Sequence, residues 1–192
     1  KYTIRWGGAF ENQRRAYTRL AVIIPLTLMC MFILLYATFG KFRQAGLVLL
    51  IVPLALFGGM LALNVRGMTL NVSSAVGFIA MFGLSIQNGI IMVSQINGLR
   101  RTGMELRQSV VEGARQRFRP ILMTSVTTIL GLFPASMATG IGSDVQRPLA
   151  TVIVYGLMFA TLVSMFVLPV FYYLVENRVF IKKKNDENEL TI

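Results

Sequence analysis

The stretch VSSAVGFIAMFGLSIQNGIIMVSQI, residues 72–96, decides the fold class of this protein. It is 25 residues long and contains no Asp, Glu, Lys or Arg. About 20 apolar residues in a helix, rising about 1.5 Å each, cross the roughly 30 Å of hydrocarbon in a bilayer. The stretch therefore predicts a transmembrane helix. At its centre lie two carboxamides, Gln87 and Asn88, for which hydrocarbon is a poor solvent.

Four further stretches are also apolar, free of charged residues and long enough to cross a bilayer: 20–39, 45–65, 120–140 and 148–175. Hydrophobic residues make up 55% of the 192 residues, and the mean hydropathy is +0.64. The sequence therefore predicts an all-α membrane protein with five transmembrane helices. With Cys30 as its one cysteine and with no histidine, disulfides and Cys/His metal sites are excluded. No nucleophile pair, membrane carboxylate pair or phosphate-binding loop indicates an enzyme.

The lysines and arginines between the spans indicate the topology. Residues 40–44, 97–119 and the tail from Arg178 hold 12 of them, whereas the other two connections hold only Arg66 and Arg147. Short loops rich in Lys and Arg stay in the cytoplasm. The distribution predicts a cytoplasmic C-terminus and an extracytoplasmic start. We therefore interpret the net charge of +11 as a signal of membrane topology and not of nucleic-acid binding.

Residues 1–19 carry five positive charges and yet fall on the outer side, which is expected if they end a large translocated domain. KYTIRW, at 1–6, alternates like the end of a strand, and AFENQRRAYTRL, at 9–20, is typical of a short amphipathic helix. We therefore expect a longer protein with an extracytoplasmic domain upstream. The predicted parts are an extracytoplasmic lead (1–19), a transmembrane domain (20–175) and a charged cytoplasmic tail (176–192), in which KKKNDENEL, at 182–190, is expected to be disordered.

The second cytoplasmic segment, residues 97–119, predicts a helix of its own, at about 102–118. Thr102 and Glu105 have the spacing of a capping box. One face of this helix is apolar and holds Met104, Val111, Ala114 and Phe118. The opposite face is basic and holds Arg107 and Arg115. This pattern favours an amphipathic helix on the cytoplasmic leaflet, and an ordinary solvated connecting helix is the alternative.

Polar residues recur at helical spacing inside two spans. In the third span, pairs seven residues apart share one stripe: Ser73 and Ser74, Ala80 and Met81, Gln87 and Asn88, Ser94 and Gln95. In the fourth, one face holds Thr124, Thr127, Thr128 and Gly131, and one step of seven back reaches Arg117. Such stripes turn toward other helices or a water-filled path. Packing between helices, in which each interhelical hydrogen bond contributes about 0.6 kcal/mol, explains the Ser and Thr residues equally well. For Gln87 and Asn88 we favour a functional pathway.

None of the five spans contains a carboxylate. In a proton-driven transporter the Asp or Glu that carries the proton would then come from helices outside this chain. The eleven methionines could bind Cu(I), but Met also fills gaps in apolar packing. We interpret them as packing residues and predict no metal ligand.

Five segments resemble the resistance-nodulation-division (RND) transporters: WGGAFENQRRA, VPLALFGGMLAL, LNVSSAVGFIAMFGLSIQNGIIMVSQI, RFRPILMTSVTTILGLFPASMATGIGSDVQRPLATVIVYGL and LPVFYYLVE. Together they follow the C-terminal quarter of that family in order. The GGAFENQ lead and the centre of the third span resemble the heavy-metal efflux branch, of the Czc/Cus type, more than the drug-exporting branch.

The resemblance implies a chain of twelve transmembrane helices, of which these five would be helices eight to twelve. Residues 1–19 would end a periplasmic porter domain. The partners would be the N-terminal half of the same transporter, a homotrimer, a periplasmic adaptor, an outer-membrane channel and the lipid bilayer. The pump would work in the bacterial inner membrane, importing protons to export its substrate, and no nucleic acid or cofactor would take part.

The resemblance also implies residue roles. In the drug branch a Lys in helix ten, an Arg before helix eleven and a Thr within it relay protons. The Arg and the Thr match Arg117 and Thr124, whereas the Lys position is Gln87. Gln can hydrogen-bond a carboxylate in either protonation state but cannot release a proton. The candidate proton-pathway residues are therefore Gln87, Asn88, Ser94, Arg117, Thr124 and Thr128.

The main hypothesis is the C-terminal transmembrane part of a proton-driven RND pump that exports heavy-metal cations. One alternative is an RND pump for drugs or other organic molecules. Another is a truncated remnant that inserts into the membrane and transports nothing.

Overall fold

The computed structural model describes residues 9–189, with the side chains of Thr18 and of residues 21–178. Six helices follow one another: α1 (Ala9–Phe39), α2 (Phe42–Leu49), α3 (Ile51–Val65), α4 (Val72–Arg101), α5 (Leu106–Ser136) and α6 (Ser143–Glu189). Within this range there is no strand, and the strand expected at 1–6 lies outside the described residues.

Five helical stretches of the described chain are long and apolar enough to cross a membrane: Ala21–Phe39, Phe42–Val65, Val72–Arg101, Leu106–Ser136 and Ser143–Arg178. The predicted all-α membrane fold is confirmed. The second of these combines α2 and α3. Leu50 between them keeps helical angles (φ −61°, ψ −22°), and its N–H donates to the Gly46 carbonyl over 2.9 Å. Pro53, which has no N–H, cannot continue the ladder to Leu49, and this explains the break.

Helix α6 forms the centre of the described bundle and packs on α3, α4 and α5. The α6 residues buried there are mainly aliphatic and include Val152, Leu157, Ala160, Leu168 and Tyr172. Helix α1 contacts α2 and α4 and leaves large apolar side chains exposed, among them Val22, Leu26 and Met29. A membrane helix that faces lipid exposes such side chains.

Glycine allows the closest approach of α4 to α6. A Cβ at Gly77 would lie 2.9 Å from the Leu149 carbonyl oxygen, which belongs to the backbone and cannot swing away. Small residues bring membrane helices into contact in this way, where van der Waals packing drives association.

The segment between the third and fourth spans differs from the expectation. Thr102 ends α4, where its hydroxyl donates to the Leu99 carbonyl, and Glu105 precedes α5 without a side-chain capping bond. The predicted capping box is therefore wrong. The predicted helix at 102–118 begins at Leu106 and continues through Pro120 as one helix with the fourth span.

The charged tail also differs from the expectation. Helix α6 extends beyond the last apolar residues to Glu189, so the tail is helical up to that residue and the prediction of disorder is wrong there.

Candidate functional site

The polar stripe of α4 divides into two edges. Successive helical residues are about 100° apart, so adjacent members of each pair have different surroundings. Along one edge Ser74, Met81 and Asn88 are buried. Along the other Ala80, Gln87 and Ser94 are exposed. Asn88 therefore packs inside the described bundle, whereas Gln87 points out of it.

A small cavity between α4, α5 and α6 brings four of the six candidate residues together. It has a volume of about 40 Å³ and is lined by Leu84, Gln87, Asn88, Ile91, Thr124, Ser125, Thr128 and Leu157. About 10–15 Å³ of such space is enough for one water, provided that polar groups hold it. The cavity is therefore large and polar enough to hold water at the depth of an apolar span.

The two carboxamides keep their hydrogen-bonding capacity. Among the described residues, neither Gln87 nor Asn88 has a side-chain partner. Each amide offers two N–H donors and one carbonyl acceptor. An unpaired amide in hydrocarbon costs several kcal/mol, so a partner such as water or a polar group outside this chain is expected.

The threonines present acceptors to the cavity. The Thr124 hydroxyl lies 3.1 Å from the Pro120 carbonyl and 3.0 Å from the Ile121 carbonyl, and the Thr128 hydroxyl donates to the Thr124 carbonyl over 2.9 Å. Their protons are therefore directed to the backbone of α5, and their oxygen lone pairs remain available.

Ser125 is a cavity residue that the sequence analysis missed. It is 3% exposed, and the Thr161 hydroxyl of α6 donates to its oxygen over 2.8 Å. The spacing of Ile121, Ser125 and Thr128, i, i+4 and i+7, could have indicated this face. Thr127, which the helical spacing places on one face with Thr124 and Thr128, is exposed and does not line the cavity.

Arg117 and Ser94 do not line the cavity. Arg117 donates through Nε and Nη2 to the Gln95 side-chain oxygen, over 3.0 and 2.7 Å. Gln95 in turn donates to Gln116 over 2.6 Å, and Gln116 to Glu112 over 2.9 Å. Arg117 thus joins α5 to the α4 stripe two turns beyond Asn88.

A second polar group, which we call the terminal polar cluster, was also missed: Gln44, Asn97, Arg100, Tyr172 and Glu176. Gln44 and Asn97 exchange two hydrogen bonds, of 3.1 and 2.8 Å, and the Tyr172 hydroxyl donates to Asn97 over 2.6 Å. Glu176 accepts from Gln44 over 3.1 Å and from Arg100 over 3.0 Å. The cluster joins α2, α4 and α6 at the end of the bundle where most of the cations lie.

Within the described chain, no group of three or more His, Cys, Asp or Glu side chains could hold a metal ion.

Comparison with known proteins agrees with this geometry. A sequence model of the AcrB/AcrD/AcrF family matches residues 1–176. The chain belongs to this family. The resemblance to RND transporters is thereby confirmed, and as a member of the AcrB/AcrD/AcrF family the chain is a multi-pass membrane protein.

Relatives within the AcrB/AcrD/AcrF family include metal-resistance proteins. The chain is 44% identical over 177 residues to the cobalt-zinc-cadmium resistance protein CzcA of Cupriavidus metallidurans, covering 92% of this chain and 17% of the relative. It is 45% identical over 166 residues to the nickel and cobalt resistance protein CnrA of the same organism, covering 86% and 15%. The chain therefore spans about a sixth of the length of these relatives.

A crystal structure of a heavy metal efflux pump has a similar fold. The TM-score is 0.80 and the sequence identity is 54%, over 91% of this chain and 17% of that one. The branch resemblance drawn from GGAFENQ and the third span is thus confirmed.

Proposed function

We propose that this chain is the C-terminal transmembrane part of a proton-driven pump that exports heavy-metal cations. One observation carries the proposal: Gln87, Asn88, Thr124 and Thr128 line one small polar cavity between the apolar spans α4, α5 and α6. The relatives named for metal resistance and metal efflux support the substrate class.

In the proposed mechanism the cavity holds water that connects α4 to a proton-carrying carboxylate outside this chain. Asn88 donates to this water from the buried edge of α4, and the oxygens of Thr124 and Thr128 accept from it. Gln87, on the exposed edge, hydrogen-bonds the carboxylate in either of its protonation states. The proton then passes along hydrogen bonds without a second titratable group at this level.

Arg117 acts in this scheme as a fixed cation beyond the cavity. Two hydrogen bonds to the Gln95 side-chain oxygen hold it against the α4 stripe, so its charge stays in one place beside the proposed path. Ser94 directly precedes Gln95 in the sequence, lies on the exposed edge and offers a hydroxyl to the same path. This chain contributes no enzymatic step.

The remaining parts of the pump follow from family membership as proposals. They are the N-terminal half of the transporter, two further copies in a homotrimer, a periplasmic adaptor and an outer-membrane channel. The pump lies in the bacterial inner membrane, with the start of this chain in the periplasm and its C-terminus in the cytoplasm.

The decisive experiment is Gln87→Leu in the intact transporter. Metal-dependent proton uptake into proteoliposomes is expected to fall roughly tenfold, less than the 10²–10⁴ of a direct proton acceptor, because Gln87 only hydrogen-bonds. Zn²⁺, Co²⁺, Cd²⁺ and Ni²⁺ are tested in parallel, and membrane insertion is expected to be normal.

Thr127→Val is the matched control, because Thr127 is an exposed polar residue of the membrane that does not line the cavity. Its transport is expected to equal that of the unmodified protein. If Gln87→Leu transports as well as the unmodified protein at the same expression level, the carboxamide serves helix packing and not proton transfer.

A further inference from the structure

A basic cavity lies at the end of the bundle where the terminal polar cluster is found. It has a volume of about 300 Å³ and is lined by Phe39, Lys41, Gln44, Asn97, Arg100 and Arg101. Because about 10–15 Å³ of such space admits a water, the cavity has room for an anionic group together with its substituents.

The charges of this cavity do not cancel. Arg100 lies 3.0 Å and Lys41 3.9 Å from the Glu176 carboxylate. Arg101 has no ion pair within the part of the chain that the structure describes. Three cations share one carboxylate, so the site carries a net excess of two positive charges, which attracts an anion.

The base of the cavity is fixed, whereas its rim can adapt. Gln44 is 1% exposed and is held by Asn97 and Glu176, so the amides at the base keep one orientation. The Lys41 side chain is 59% exposed, and Arg101 is exposed as well. Long cationic side chains on a rigid base can close over a phosphate as point charges or as a fork.

The position of the cavity indicates where the phosphate comes from. It lies where two membrane-crossing helices end, at Phe39 and at Arg101. Beside it, the exposed rings of Tyr36 and Phe42 pack with centroids 4.2 Å apart. Tyr at this depth marks the boundary between hydrocarbon and headgroups, and basic pockets between membrane helices bind anionic headgroups.

We propose that this cavity binds the phosphate of an anionic phospholipid, with Lys41 and Arg101 as its principal ligands. Arg100, oriented by Glu176, adds a third cation, and the acyl chains lie along the exposed apolar face of α1. The site joins α1 and α4, which the lipid would hold together. It does not depend on the proposed transport function.

The test uses the intact transporter in phosphatidylcholine vesicles that contain a photoactivatable phosphatidylglycerol, without metal or proton gradient. Cross-links to the segments 36–44 and 97–101 are quantified by mass spectrometry. The double variant Lys41→Gln/Arg101→Gln is expected to lose these cross-links about tenfold or more, since each Lys or Arg near an anionic surface contributes about fivefold.

Arg107→Gln is the matched control, because Arg107 is exposed on α5 and does not line the cavity. Its cross-linking is expected to stay within about twofold of the unmodified protein. An equal loss in Arg107→Gln, or equal cross-linking by a photoactivatable phosphatidylcholine, overturns the proposal. Competition by millimolar inorganic phosphate overturns the lipid assignment in favour of a soluble phosphate. The cross-linking result does not depend on whether Gln87→Leu changes transport.

Discussion

At the scale of single residues, Gln87 and Asn88 show how much one helical step changes a side chain's surroundings. Asn88 is 7% exposed and lines the cavity from within, whereas Gln87 is exposed on the neighbouring edge. Their period of seven and their place in the span could be predicted from the sequence. Ser125 was overlooked because hydroxyl residues occupy positions 124, 125, 127 and 128, and only their spacing from Ile121 separates the buried face from the exposed one.

The terminal polar cluster could not be predicted from the sequence, for a different reason. Gln44 is separated by 53 residues from Asn97 and by 132 from Glu176, and no local spacing relates them. Glu176 directly follows the predicted fifth span, so the sequence alone predicts that its carboxylate is exposed to solvent. In the structure its side chain is 11% exposed.

Glu176→Ala is therefore expected to destabilise the protein by about 1–3 kcal/mol. It removes the carboxylate that accepts from Arg100 and Gln44 and leaves both donors without this partner. The free energy of unfolding in mixed micelles measures the effect.

Glu105→Ala is the comparison, because Glu105 is exposed and makes no side-chain capping bond. A change within about 0.5 kcal/mol is expected for it. If both variants lose the same amount, the Glu176 contacts do not stabilise the bundle.

At the scale of helices, hydropathy predicted where the spans lie, since long apolar runs leave few alternatives in a membrane. It did not predict where helices begin between the spans. Thr102 and Glu105 have the spacing of a capping box, but Thr102 ends α4, and Gly103, with φ of +88°, reverses the chain before α5. The same residue types occur at both ends of helices, so spacing alone does not distinguish them.

The approach of α4 to α6 gives a prediction at this scale. Gly77→Ala places a methyl group 2.9 Å from the Leu149 carbonyl oxygen, so the two helices must separate. We expect the free energy of unfolding to fall by about 1–3 kcal/mol, the usual cost of overpacking.

The control for Gly77 lies in the same helix. A Cβ at Gly83 meets nothing within 4 Å, so Gly83→Ala should be neutral or stabilise the protein by up to about 1 kcal/mol through helix propensity. A stable Gly77→Ala protein would show that contact through this glycine does not hold α4 on α6.

At the scale of the whole molecule, the arrangement of charges predicts the orientation in the membrane. Single cysteines are introduced with Cys30 replaced by Ser, and spheroplasts are treated with a membrane-impermeant maleimide. Gln146→Cys, before the fifth span, is expected to react in intact spheroplasts. Gln108→Cys, at the start of α5, is expected to react only after permeabilisation. The reverse pattern would contradict the orientation inferred from Lys and Arg.

The central position of α6 has a consequence for synthesis. Of the six helices in this chain the ribosome makes α6 after all the others, although α3, α4 and α5 pack against it. The 77 residues from the end of α4 at Arg101 to Arg178 take about 4–15 s to translate, at about 5–20 residues per second. Until Leu149 and Glu176 have been made, Gly77 lacks its α6 contact and Arg100 lacks its carboxylate partner. The earlier spans of this chain therefore enter the bilayer without the helix on which they pack, and their mutual arrangement is fixed only when α6 is inserted.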